Sequence, residues 1–240
     1  MKHIVLLLLI CLQIAYIYPT ILTNPFRCFI WDTACVTALA QNIGSGYIPR
    51  IPELAAADLD PLEIDIFSFE KDGVLLEIKD TKVHGLKNLI IDELRSYSNL
   101  SLAHIVFRTD LLYTGFYKVN GSIFFQPING EGGYWSSLKN VEIELFIPYD
   151  IVKNAKGVEF IEASNYNFRF DVKDNAQFHF DNLYYGDIER SELMHYLLNQ
   201  HWKFVTTQYG RAVISNLVDS IAKEYKSYFR LVPLKLLVEY

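Results

Sequence analysis

Residues 201–230, HWKFVTTQYGRAVISNLVDSIAKEYKSYFR, belong to a proline-free stretch that extends from residue 189 to residue 231. Polar side chains recur along it at steps of three and four, which places them on one narrow stripe of a single α-helix. The stripe comprises Lys203, Thr207, Arg211, Ser215, Asp219, Lys223, Lys226 and Arg230. Because its phase continues across Gly210, we predict that this glycine does not end the helix.

The opposite side of the predicted helix is apolar and carries Met194, Leu198, Trp202, Val205, Tyr209, Val213, Leu217, Ile221 and Tyr225. One helix over residues 189–231 would be roughly 64 Å long at 1.5 Å per residue. Since most of its circumference is apolar, it needs cover along its length, and a long sheet curled around it would supply that cover. We expect such an arrangement to enclose an apolar cavity. Periodicity alone does not distinguish this hollow interior from a solid core.

The middle of the chain, residues 62–180, supplies the sheet. Apolar and polar residues alternate there with a period of two, most clearly in NYNFRFDV, residues 165–172. Turn sequences such as Asp72-Gly73, Asn120-Gly121 and Lys156-Gly157 separate the runs. Strands joined by short turns are antiparallel neighbours with one wet and one dry face. The sequence therefore predicts an α+β fold.

The first 18 residues, MKHIVLLLLICLQIAYIY, have a short basic start followed by an apolar run. This pattern is typical of a secretory signal peptide and is short for a membrane span. We therefore expect residues 1–18 to be removed, residues 19–240 to form a single domain, and the protein to be extracellular. An uncleaved N-terminal anchor is the alternative. Sequons at Asn99 and Asn120 predict glycosylation in that compartment.

Loss of the signal leaves two cysteines, Cys28 and Cys35. Two nearby thiols in an oxidising compartment normally form a disulfide, which here would clip the N-terminal segment. A zinc site would need further ligands, and no other cysteine or histidine lies close by in sequence. The Cys-x-x-Cys spacing of a redox pair is also absent from the sequence. We therefore predict a disulfide and no metal site.

Composition excludes several classes of function. The chain is 51% hydrophobic and 15% aromatic, which is ample for a core, and its net charge is −6. An acidic chain without basic clusters is a poor candidate for binding nucleic acid or anionic membranes. The hydrolase motifs Gly-x-Ser-x-Gly and His-Glu-x-x-His are missing, and the histidines are scattered. We therefore expect neither catalysis nor a cofactor.

Short motifs recur along the chain in an order that resembles the insect takeout and juvenile-hormone-binding protein family. They begin with the two cysteines and continue through residues 46–49 (GYIP), 59–62 (LDPL), 83–88 (VHGLKN), 115–121 (GFYKVNG), 126–132 (QPINGEG) and 180–183 (FDNL). Gly186-Asp187 and Leu197-Leu198-Asn199 with Trp202 complete the set. With one possible disulfide the chain is similar to takeout-like members, whereas hormone-binding members typically carry a second.

The resemblance implies a long C-terminal helix wrapped by a strongly curved antiparallel sheet that encloses a hydrophobic tunnel. It also implies extracellular carriage of a small lipophilic ligand, such as a juvenile-hormone-like terpenoid, a fatty acid or a related lipid. A receptor or another extracellular protein is a further expected partner. The alternative is a secreted signalling or interaction protein of circadian or feeding output whose cavity is filled or vestigial.

We predict that the tunnel is lined by side chains from the dry faces of the strands and helix. They are Ile64, Ile66, Leu76, Ile78, Tyr117, Phe125, Trp135, Ile143, Phe168, Phe178, Leu198, Trp202 and Leu217. Tyrosines are the expected hydrogen-bond donors to the ligand, with Tyr117, Tyr134 and Tyr209 as candidates.

Overall fold

The computed structural model describes residues 28–44 and 60–239. The predicted signal peptide, residues 1–18, and the motif at residues 46–49 lie outside the described residues. The described part contains one large hydrophobic core, which joins the inner face of a sheet to the C-terminal helices. A smaller cluster around Tyr228, Val232 and Leu237 lies beyond it at the C-terminus.

Seven strands form one antiparallel sheet, as predicted. The strands are β2 (Leu62–Lys71), β3 (Val74–His84), β4 (Ile90–Tyr97), β5 (Leu102–Ile123), β6 (Gln126–Lys153), β7 (Glu159–Ala163) and β8 (Asn167–Phe180). The centre of the sheet is the pair of unusually long strands β5 and β6, which pair from Leu102↔Pro148 to Ile123↔Gln126. Strands β3 and β4 pair with the two halves of β5, β2 extends the β3 edge, and β7 and β8 pair with β6.

Bulges interrupt these long strands near their middles. The pairing shifts between Lys79 and Lys82 of β3 and between Thr109 and Leu111 of β5. At the second shift, Asn140 of β6 is the extra residue, with φ 52°. The Asp110 carboxylate accepts hydrogen bonds from the Asn140 amide (2.8 Å) and from Lys139 Nζ (2.9 Å). Bulges bend and twist a strand, so they allow the sheet to curve into a half-barrel.

The C-terminal stretch forms two helices, which corrects the prediction of one helix over residues 189–231. They are α2 (Ile188–Gln200) and α3 (Trp202–Leu231), and His201 between them has φ −106° and ψ 30°. The amide of His201 bonds the Leu197 carbonyl, and the His201 carbonyl accepts from the Val205 amide, so His201 belongs to the hydrogen bonding of both helices. Gly210 lies inside α3, as predicted. At 30 residues, α3 is about 45 Å long.

Tertiary contact explains the bend at His201. The side-chain amide of Asn199 accepts from the Phe178 amide (2.7 Å) and donates to the Phe178 carbonyl (3.1 Å). These bonds tie α2 to the outer backbone of β8, while α3 lies against the concave face of the sheet with Ile214, Leu217 and Val218 fully buried. The two helices therefore pack against different parts of the sheet, and periodicity cannot show this.

A third helix, α1 (Thr33–Gly44), covers the other outer strand, β4. Gln41 donates to the Leu89 carbonyl (3.0 Å) and accepts from the Ile91 amide (2.6 Å). Thr37 Oγ1 in turn accepts from the amide of Leu94 (2.8 Å). Unpaired strand edges are sites for unwanted association, so these side chains protect the sheet.

The disulfide predicted from the sequence is confirmed: Cys28 and Cys35 are bonded, with their Cα atoms 5.5 Å apart. Cys28 lies in β1 (Cys28–Phe29), which pairs in parallel with β9 (Val238–Glu239). The clip therefore fixes the start of α1 beside the C-terminal end of the chain.

The fully buried position of Leu217 on α3 leads to a stability prediction. Leu217→Ala should lower the free energy of unfolding by about 2–5 kcal/mol, because it removes apolar contacts and leaves a cavity. Leu231→Ala, on the same helix but 54% exposed, should change it by about 0.5 kcal/mol or less. Urea denaturation of both variants measures the difference. Equal losses would show that α3 is not packed as described.

Candidate functional site

An apolar cavity of about 130 Å³ lies between the sheet and α3. Its walls come from β2, β3, β5, β6, β8, the segment after β8 and both C-terminal helices. The lining residues are Phe69, Val74, Leu76, Ile78, Tyr113, Val119, Ile123, Ile128, Tyr134, Ser136, Leu138, Phe170, Val172, Phe178, Phe180, Leu183, Leu198, Val205, Thr206, Tyr209, Gly210, Val213 and Ile214. Every one of these side chains is uncharged, so the cavity is suited to an apolar molecule.

Four of the residues predicted to line the interior lie in this wall: Leu76, Ile78, Phe178 and Leu198. Tyr134 and Tyr209, two of the proposed hydrogen-bond donors, also lie in it. Their role in ligand binding stays a prediction.

Three predicted lining residues are exposed, and their assignment to the interior is wrong. Ile66 is 61% exposed because the β2–β3 ribbon changes face at the bulge between Lys79 and Lys82, where Asp80 has φ 47°. Ile64 and Phe67 therefore point inward, while Ile66 between them points out. Trp135 alternates with the inward-facing Tyr134 and stacks on His179 outside. Phe125 lies at the tip of the β5–β6 hairpin and is completely exposed.

The remaining predicted residues are covered by protein outside the cavity. Ile64, Ile143 and Leu217 are buried in the core, and Trp202 is half-buried beside Lys203. Tyr117 is also buried, and its hydroxyl donates to the Asp181 carbonyl (2.8 Å). Phe168 is on the same face of β8 as Phe170 and Val172, but it lies nearer the start of the strand, beyond the end of the cavity. The alternation of apolar and polar residues predicts which face of a strand a side chain lies on, but it does not predict whether that side chain reaches the cavity.

The sequence analysis did not predict several of the residues that line the cavity. Tyr113 and Val119 share the inward face of β5 with Tyr117, and Ile214 is one turn from Leu217 on α3. Extending the chosen residues in steps of two along β5, and in steps of three or four along α3, could have found them. Thr206 and Gly210 do not have large apolar side chains, so the periodicity of apolar residues could not identify them as lining residues. Gly210 is close to β8, since a Cβ there would lie 3.0 Å from the Phe170 ring.

Two of the sequence motifs meet at one end of the cavity. Asp181 donates its amide to the Gly133 carbonyl (2.8 Å), and Asn182 Nδ2 donates to the Glu131 carbonyl (3.1 Å). A Cβ on Gly132 would lie 2.6 Å from the Asp181 carbonyl oxygen, so a side chain cannot be accommodated. The glycines of QPINGEG therefore allow this strand to contact the FDNL turn, whose Leu183 lines the cavity.

The hairpin tip lies near the bend between α2 and α3. Phe124 and Phe125 both have left-handed backbone angles, φ 53° and 60°, in a turn where asparagine and glycine are usual. The Phe124 ring lies 5.4 Å from His201 and 5.5 Å from Phe204. Since Ile123 and Val205 line the cavity, this aromatic group borders it.

Two stacked histidines join α2 to the end of β8. His195 Nε2 accepts a hydrogen bond from the Phe180 amide (3.1 Å), and its ring stacks 4.7 Å from that of His179. Burial and the neighbouring His179 lower the pKa of His195, while Asp181 and Glu192 act in the opposite direction. Neutral His195 can accept the Phe180 amide, whereas the protonated ring cannot.

A larger concavity, of about 620 Å³, lies on the outside between the start of β8 and the polar stripe of α3. It is lined by charged and polar groups, including Arg211, Asp219 and Lys223. Arg211 donates to the Phe168 carbonyl (3.1 Å), and Tyr166 donates to Asp219. We take the smaller apolar cavity as the candidate site, because charged groups line this groove and two of them, Arg211 and Asp219, are already bonded within the protein.

Other features bear on function. Among residues 28–44 and 60–239, no group of three or more His, Cys, Asp or Glu side chains is arranged to hold a metal ion. None of the described helices has the length and apolar character needed to cross a bilayer. Asn99 and Asn120 are both exposed, and their glycosylation stays a prediction.

Comparison with known proteins gives consistent matches. The model of the family "Haemolymph juvenile hormone binding protein (JHBP)" matches residues 5–239. The crystal structure of Epiphyas postvittana Takeout 1 superposes with a TM-score of 0.86 and 32% identity, covering 90% of this chain and 100% of the other. The circadian clock-controlled protein daywake of Drosophila melanogaster is 25% identical over 188 residues, 73% of this chain and 72% of its own. Its Drosophila yakuba counterpart is 24% identical over the same shares.

The His195 contact predicts a dependence of stability on pH. Since the folded state holds the pKa of His195 below its ordinary 6.5, the unfolded chain takes up a proton first as pH falls. The free energy of unfolding should therefore decrease below about pH 6.5. His195→Gln, which keeps an acceptor without titrating, should reduce this decrease. Urea denaturation at several pH values between about 5 and 8 tests it, and identical pH profiles for both proteins would contradict the assignment.

Proposed function

Because this chain belongs to the haemolymph juvenile hormone binding protein family, we propose that it is a secreted, non-catalytic carrier of a small lipophilic ligand. The observation that carries the proposal is the cavity of uncharged residues between the curved sheet and α3. The ligand is a juvenile-hormone-like terpenoid, a fatty acid or a related lipid, and a receptor or other extracellular protein is a further partner.

Burial of apolar surface supplies the affinity in this proposal. At about 25 cal/mol per Å², a ligand that buries roughly 400 Å² gains on the order of 10 kcal/mol before its lost freedom is subtracted. No charged partner is needed. The cavity wall offers apolar contacts to such a ligand, because it consists mainly of aliphatic and aromatic side chains.

The volume of the cavity adds a condition. Ligand sites commonly occupy about 300–1,000 Å³, whereas this cavity has about 130 Å³. Loading must therefore move side chains of the wall and extend the cavity into a tunnel. Phe69, Phe170 and Tyr209 are the proposed movable group, because they line the cavity while only partly buried.

The small volume also favours a second candidate function. A protein with a largely filled interior could act in signalling through its surface, without cargo. The names of the two Drosophila relatives refer to circadian control, which supports a role in circadian output. Uptake of lipid by the purified protein separates the two candidates.

Adjacent leucines on β3 provide a matched test of carriage. Leu76 lines the cavity, whereas Leu75 faces the solvent and is 50% exposed. Leu76→Trp should fill the cavity and abolish uptake of a fluorescent long-chain acyl ester, while Leu75→Trp should leave uptake unchanged. Fluorescence titration measures uptake, and native mass spectrometry after organic extraction detects any co-purified lipid.

The outcomes are distinct. Because overpacking at Leu76 can cost about 1–3 kcal/mol, thermal unfolding checks that the variant is folded, and Val213→Phe blocks the cavity independently from α3. Equal uptake by all four proteins would place the ligand elsewhere. Failure of the unmodified protein to take up lipid would favour the signalling candidate, and hydrolysis of the ester would show an enzyme.

A further inference from the structure

Tyr113 combines complete burial with an unused hydrogen-bonding group. It lies on the inward face of β5, is 1% exposed and lines the cavity. Within the part of the chain that the structure describes, its hydroxyl has no hydrogen-bond partner. Burial, together with the nearby Tyr134, raises the pKa of Tyr113, so the phenol stays protonated and able to donate.

Two other hydroxyls of the cavity wall, those of Tyr134 and Thr206, are already paired. Tyr134 and Thr81 share a hydrogen bond of 2.9 Å, and Thr206 donates to the Lys203 carbonyl at 3.1 Å. Buried polar groups are nearly always hydrogen-bonded, because otherwise folding removes their bonds to water without replacement. An unpaired hydroxyl in the wall of a ligand cavity is therefore a candidate for a bond that only the ligand completes.

The rest of the wall limits what that ligand can be. The side chains that line the cavity are uncharged, so none can balance an ionised carboxylate or amine there. Ser136 lies directly opposite Tyr113 in the β5–β6 pairing and also lines the cavity. The polar part of the wall is thus a small neutral patch on the sheet, surrounded by apolar side chains.

We propose that the cavity selects neutral lipids that carry an oxygen acceptor, such as an ester, ketone or ether oxygen, and that Tyr113 is the residue that recognises this oxygen. This inference rests on the proposed carrier function and narrows it. The apolar chain of the ligand lies along α3, while its oxygen meets the Tyr113 hydroxyl at the sheet. Hydrocarbons lack the acceptor, and free fatty acids bring a charge that the wall cannot balance.

Removal of one oxygen atom tests the proposal. The unmodified protein and Tyr113→Phe are titrated with a long-chain ketone, the alkane of the same length and the free fatty acid of the same length, by displacement of a neutral fluorescent lipid. The unmodified protein should prefer the ketone to the alkane by about 3- to 10-fold, the range expected for one hydrogen bond. Tyr113→Phe should abolish that preference and leave alkane affinity unchanged.

Tyr149→Phe is the matched control. Tyr149 is also buried on the sheet, but its hydroxyl bonds Ser96 (2.8 Å) away from the cavity. This variant should keep the ketone preference and melt at a lower temperature, whereas Tyr113→Phe loses no hydrogen bond of the free protein and should not. An unchanged ketone preference in Tyr113→Phe, or tighter binding of the fatty acid than of the ketone, overturns the inference. Failure of every lipid to bind instead overturns the carrier function itself.

Discussion

The structure depends on the burial of α3, a helix of about 45 Å that is apolar around most of its circumference. A flat sheet covers only one side of such a helix. Strands β5 and β6, with 22 and 28 residues, are long enough to pass along the helix and around it, provided that they bend. The bulges at Asp80 and Asn140 supply the bends, and the side chains of Asp110 and Lys139 stabilise the second of them.

Strands β4 and β8 each pair with another strand on one side only, which leaves backbone groups unpaired along their outer edges. Helices α1 and α2 cover them with the side chains of Gln41 and Asn199, each of which bonds the strand backbone as another strand would. This arrangement also accounts for the bend at His201, because α2 covers the edge of the sheet at β8 while α3 packs against the concave face. Edge protection and burial of the core are thus divided between two helices that are continuous in sequence.

The position of α3 on the concave face of the sheet also creates the candidate site. The cavity lies where α3 passes the middle of the sheet, and Gly210 allows the helix to approach the Phe170 ring. Its walls are uncharged, and its one unpaired buried hydroxyl among the described residues belongs to Tyr113. In the carrier that we propose, apolar surface supplies affinity and the Tyr113 hydroxyl supplies selectivity.

Sequence periodicity by itself determined the antiparallel sheet, the long apolar helix and the inward faces on which Leu76, Ile78, Phe178 and Leu198 lie, because side-chain direction follows the local period. The secretory pattern, which leaves two nearby cysteines in an oxidising compartment, likewise predicted the Cys28–Cys35 disulfide. Tertiary structure decided the exposure of Ile66, since a bulge reverses every side chain beyond it. It also decided the helix bend, the size of the cavity and the isolation of the Tyr113 hydroxyl, because each depends on how distant segments pack and not on local pattern.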